Sequence, residues 1–205
     1  MRMSLSRISF SEALRKIIII ILGSVVAAYG MCLAIHAGFG SATLAVLWQG
    51  LSLTFGITIG QASLIVAGVM ILFAFFYDRK QIFVGTILYQ IIYSPCMDLF
   101  VPLLRYSNNA AVNFAIMVLG IVIFSVGTAV YSFADWGRGA YEAVMFSFVD
   151  KNGFQPKWVK MILDAVMVIL GMILGGKFGW CTVVTVLISG FVIQWTLKLL
   201  RKFQS

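Results

Sequence analysis

Six long apolar stretches fill most of this chain: residues 17–36, 61–77, 82–104, 110–134, 158–176 and 178–197. A helix needs ~20 apolar residues, rising 1.5 Å each, to cross ~30 Å of hydrocarbon. In lipid every backbone N–H and C=O must be paired within the protein, so only helices and closed barrels span. None of the stretches alternates apolar and polar residues with period two, which excludes a barrel. The chain therefore reads as an all-α, polytopic membrane protein.

Composition agrees. Of the 205 residues, 61% are hydrophobic and 11% charged, against ~45–50% and ~25% in soluble domains. Too few charges remain to solvate a water-facing surface, and too much apolar area is present for disorder. The net charge of +8 would suit nucleic acid on a soluble protein. Here the basic residues sit at the ends of apolar runs, so they report topology and no nucleic acid partner is expected. Cys32, Cys96 and Cys181 lie within apolar runs with no CxxC, and His36 is the sole histidine. Neither a disulfide frame nor a metal site is expected. No GxSxG, HExxH or P-loop is present, so neither an enzyme nor a cofactor is expected.

Two further apolar segments, 40–54 and 137–150, are too short to cross. Each opens on glycines and ends near another, Gly56 or Gly153, which suggests re-entrant half-helices facing protein or a wet cavity. With those segments re-entrant and the N-terminus inside, thirteen of the fifteen basic residues fall in the cytoplasm, leaving only Arg105 and Lys177 outside. If both segments spanned, eight crossings would move Arg79, Lys80 and Arg138 outside and cut the bias to ten against five. Six spans in the bacterial cytoplasmic membrane, with both termini cytoplasmic, is the expected topology. Residues 1–16 interleave apolar and basic side chains, as a helix on the inner membrane surface would. The apolar run after them is too long for a signal peptide and is expected to stay uncleaved.

The chain also repeats. Sliding it by 97 residues superposes Gly23, Gly30, Gly40 and Gly56 on Gly120, Gly127, Gly137 and Gly153. Eight glycines in each window would coincide about once by chance. Residues 17–104 and 110–200 thus read as two copies of span, half-helix, span, span within one membrane domain. Three crossings per copy make the copies inverted, an arrangement recurrent in transporters and channels. The two half-helices would then approach each other near the midplane.

Gly38-Phe39-Gly40, Gln49-Gly50-Leu51-Ser52 and Gly56-Ile57-Thr58-Ile59-Gly60-Gln61-Ala62-Ser63 resemble the first signature of the bacterial YczE/YitT-like membrane proteins. Ala134-Asp135-Trp136-Gly137 through Gly139, with Gly171, Leu174-Gly175-Gly176, Gly179 and Thr182, resembles the second. The family's Gly-Pro and acidic residue after the first loop are replaced here by Ser41-Ala42-Thr43. The resemblance implies a multi-pass bacterial membrane protein and assigns no biochemistry.

Charges within a bilayer cost ~2.5–3.5 kcal/mol on insertion scales, so each needs a partner or a function. Asp135, Arg138 and Glu142 have spacings that would share one helix face. There Arg138 and the amides after Gly137 and Gly139 would hold an anionic or zwitterionic solute, or Arg138 would only be neutralised by its two acids. Gly40, Ser41, Thr43 and Gln49 at the first half-helix complete the candidate binding set. Asp164, one turn after Lys160, is either a structural ion pair or a coupling carboxylate, and Asp98 would snorkel outward, pair with Arg105 or line a pathway. Methionines and aromatics read as bundle packing, with tryptophans near the interfaces. Gly171 and Gly175 form a GxxxG that serves packing within the bundle or a homodimer. The leading expectation is a small secondary transporter or channel. The alternative is an accessory membrane protein that organises a partner without carrying a solute.

Overall fold

The computed structural model describes residues 9–202, and all regular structure among them is helical. Eight α-helices follow in order: α1 Phe10–His36, α2 Thr43–Phe55, α3 Ile59–Tyr77, α4 Val84–Phe100, α5 Ala110–Phe133, α6 Ala140–Asn152, α7 Pro156–Ile173 and α8 Trp180–Lys202. Short 3-10 turns follow α3 and α4.

Among the described residues, five segments are long and apolar enough to cross a membrane: α1, α3, Val84–Leu103, α5 and α8. The fifth expected span, 158–176, differs. Its helix α7 has 18 residues, enough for ~27 Å, but Lys157, Lys160 and Asp164 interrupt its apolar character. The expected surface helix over 1–16 lies partly outside the described residues. Its described part is no separate element, because α1 runs unbroken from Phe10 with Glu12 and Lys16 paired one turn apart at 3.2 Å.

The helices α2 and α6 have 13 residues each, which gives ~20 Å, too short for hydrocarbon. Each starts buried, at Ala42 and Ala45 or at Ala140 and Ala143, and ends exposed at Phe55 or Asn152. Both end on a left-handed glycine, Gly56 (φ 66°) and Gly153 (φ 70°), a conformation that a side chain would strain.

The antiparallel pair α1 and α5 forms the axis of the bundle, flanked by α4 and α8, while α2 packs on α7 and α3 on α4 and α6. Glycines permit the axial contact. A β-carbon on Gly23 would meet the carbonyl of Gly127, and one on Gly30 that of Gly120. Gly171 packs against the backbone of Val46 and Leu47 on α2, so this part of the GxxxG serves the bundle itself. Large apolar side chains such as Val69, Phe76, Leu187 and Phe191 face outward. A water-soluble monomer rarely shows so much apolar surface, whereas lipid requires it.

Local structure recurs at the offset seen in the sequence or one residue short of it. The ends of α1 and α5, and both ends of α2 and α6, are 97 residues apart. Cys181 donates its N–H to the carbonyl of Phe39 at 2.9 Å, and Gly85 donates to Trp136 at 2.9 Å. Thr86 and Thr182 accept from the N–H of Phe83 and Gly179 at 3.4 and 3.3 Å. Gly38 (φ 89°) and Asp135 (φ 48°) take positive φ at matching positions.

Candidate functional site

The N-termini of α2 and α6 open on one cavity of about 230 Å³. Thr43 and Leu44 line it from α2, and Ala140, Tyr141 and Glu142 from α6. It is smaller than the ~300–1,000 Å³ of drug-sized sites, which suits a small solute.

Its aromatic wall was not legible as a site in the sequence. Trp48, Tyr93, Tyr89 and Tyr131 form a continuous row across α2, α4 and α5, with successive ring centroids 6.1, 5.1 and 4.2 Å apart. All four line the cavity. Trp48 is no interface residue, being only 6% exposed. The signal was its place five residues after Thr43, on a helix that starts in the bundle interior. The indole Nε1 of Trp48 and the hydroxyl of Tyr93 are buried without a hydrogen-bond partner. Native proteins pair almost all such groups, so these two orphans set the Trp48–Tyr93 wall apart from ordinary packing.

Three charged side chains line the cavity: Glu142, Asp164 and Lys160. Lys160 Nζ lies 2.8 Å from one oxygen of Asp164, and Tyr141 donates to the other at 2.8 Å. Asp164 thus has the structural partner weighed for it, and a tyrosine besides. Among the described residues Glu142 forms no ion pair. It lies in the first turn of α6, with Oε2 against Gly139, where its negative charge suits the helix dipole.

Asp135, Arg138 and Glu142 do not share a helix face. Helix α6 begins only at Ala140, because Asp135 (φ 48°) and Gly137 (φ 136°) take non-helical positive φ and the N-cap Gly139 is extended (φ −57°, ψ 157°). Asp135 and Arg138 are exposed, and the Arg138 guanidinium stacks 3.7 Å from the Phe146 ring centroid. It pairs with neither acid and lies outside the cavity lining. Of the glycines, Gly139 lines the cavity, while Gly137 packs on Thr86 and Gly40 on Gly179.

Within the α2 set, Thr43 faces the cavity, but Ser41 and Gln49 are engaged elsewhere. Ser41 donates to Gln49 Oε1 at 3.1 Å, and the same oxygen accepts from the Lys177 N–H at 2.8 Å. Together they knit the α2 entry to the α7–α8 turn. Asp98 neither pairs with Arg105 nor lines the cavity. It accepts from Thr58 Oγ1 at 2.6 Å and from the Gly60 N–H at 2.9 Å, fastening the start of α3 to α4. Gln90, Ser63 and Ser94 join the same two helices through buried bonds, the structural use expected of intramembrane glutamine.

Membrane-length helices, an apolar outer surface and a small cavity define a multi-pass membrane protein in contact with the lipid bilayer. The chain belongs to the family of unknown function DUF6198, whose model matches residues 14–198. It is similar to the uncharacterized membrane protein YczE of Bacillus subtilis, with 24% identity over 176 residues, covering 85% of this chain and 82% of the relative. An uncharacterized protein of Haemophilus influenzae is 25% identical over 170 residues, covering 83% and 78%. The B. subtilis protein YyaS is 20% identical over 176 residues, covering 84% and 88%. These relatives bear out the YczE-like resemblance. No solved structure is significantly similar.

Proposed function

We propose that this protein is a small secondary transporter or channel that binds its solute between the buried ends of α2 and α6 without altering it chemically. One observation carries the reading: two half-length helices begin at one cavity beside buried polar groups that lack partners. Discontinuous helices with N-termini at a midplane site are a recurrent transporter device, and their amides favour an anionic group on the solute. The accessory reading would fit a solidly packed interior better.

The proposal includes six spans, with α7 as the fifth, arranged as an inverted 3+3 repeat. The 97-residue spacing of helix ends and the matched bonds Gly85–Trp136 and Cys181–Phe39 support it. Lys160 and Asp164 neutralise each other, easing the passage of α7 through lipid. Both termini lie in the cytoplasm, and the membrane is the bacterial cytoplasmic membrane.

Flux into proteoliposomes, screened over small organic acids and amino acids and paired with thermal unfolding, tests the proposal. A transported solute should also raise the unfolding midpoint. A panel that shows neither flux nor stabilisation would favour the accessory role.

A further inference from the structure

The two helix starts at the cavity differ in polarity. Helix α2 starts at Ala42 with no side-chain cap and no acid in its first turn. The amides of Thr43, Leu44 and Ala45 begin a helix and have no preceding carbonyls of that helix to bond. Trp48 Nε1 adds a buried donor that has no acceptor. An indole N–H only donates, so this end asks for an acceptor, and the helix dipole asks for a negative one. Helix α6 differs, because Glu142 occupies its first turn. With Asp164 held by Lys160 and Tyr141, Glu142 is the carboxylate of the lining without an ion-pair partner. Two carboxyl groups and one ammonium group therefore line the cavity, and the ammonium is taken up by Asp164.

From these features we infer that the solute is a small carboxylate–ammonium zwitterion. Its carboxylate sits at the start of α2 and Trp48, and its ammonium group at Glu142. The rings of Tyr89, Tyr93 and Tyr131 supply apolar wall for a short carbon skeleton. A simple anion would leave Glu142 uncompensated. A simple cation would leave the α2 amides and the Trp48 N–H unpaired. The zwitterion satisfies both ends, and the cavity volume restricts it to a few carbons.

This inference rests on the cavity being the solute site. The test uses the full chain in lipid nanodiscs, with calorimetric titration and unfolding midpoints, on three matched sets. The sets are L-alanine, propanoate and L-alaninamide; 4-aminobutanoate, butanoate and butylamine; and glycine betaine, 3,3-dimethylbutanoate and choline. Within each set one charged group is lost while size is nearly kept. At least one zwitterion should bind roughly tenfold or more tightly than both its counterparts. Glu142→Gln should weaken that zwitterion roughly 10- to 100-fold, towards its matched anion. Trp48→Phe should weaken zwitterion and anion alike. If Glu142→Gln does not fold, the ranking within the sets and Trp48→Phe decide. A matched anion or cation binding as tightly as its zwitterion overturns the inference and leaves the proposed function standing. No binding by any probe, together with no flux, removes both.

Discussion

Gly30 and Gly120 face each other where α1 crosses α5. A β-carbon on Gly30 would lie 2.6 Å from the Gly120 carbonyl oxygen, and one on Gly120 would lie 2.7 Å from that of Gly30. Such reciprocal contact leaves no room for a side chain unless the helices move apart. Gly30→Val or Gly120→Val should destabilise the protein by ~1–3 kcal/mol. Gly68 on α3 has open space around its missing side chain, so Gly68→Val should stay within ~0.5 kcal/mol. Unfolding in mixed micelles would compare the three, and equal losses at Gly30 and Gly68 would contradict the close crossing.

Asp98 ties the start of α3 to α4 through Thr58 and Gly60. Asp98→Ala should cost ~1–3 kcal/mol, because two donors lose a charged acceptor. Thr58→Ala should cost less, and the double variant less than the sum, since one bond is common to both. Additive losses in a double-mutant cycle would show that the Thr58–Asp98 contact contributes nothing.

Arg138 stacks on Phe146 outside the cavity lining. An exposed cation–π contact is worth ~0.5–1 kcal/mol. Arg138→Gln should therefore lower stability by no more than that and keep solute binding within roughly threefold, as that energy allows. Loss of uptake in a folded Arg138→Gln protein would return the anchoring role to this residue.

Orientation has its own test. With Cys32, Cys96 and Cys181 replaced by alanine, single cysteines at Asn109 and Lys177 should react with an impermeant thiol reagent applied to intact cells. Cysteines at Lys80 and Lys151 should react only after lysis. Labelling at Lys80 from outside would support eight crossings.

Much of the fold was legible because lipid imposes simple rules. Apolar length located α1, α3, α5 and α8, and the glycine offset located the matched ends of α2 and α6. The site was less legible. Reading Asp135, Arg138 and Glu142 as one helix face failed because Gly137 and Gly139 delay α6 until Ala140. Ser41, Gln49 and Asp98 looked functional as isolated polar residues, yet each is engaged in joining helices, and sequence spacing cannot reveal partners up to 128 residues away. Trp48 and Tyr93 had the opposite problem, since an aromatic on an apolar helix looks like packing until its polar atom is found without a partner.

The space at the start of α2 should carry the solute. Thr43→Trp would fill that space, whereas Leu53→Trp adds bulk at the exposed end of the same helix. Proteoliposome uptake of the matched zwitterions, anions and amines should be compared for wild type, Thr43→Trp and Leu53→Trp, all confirmed as folded by their unfolding midpoints. Uptake above protein-free vesicles is expected for wild type and Leu53→Trp, and none for Thr43→Trp. Equal uptake by all three proteins, or none by any of them, would contradict that expectation.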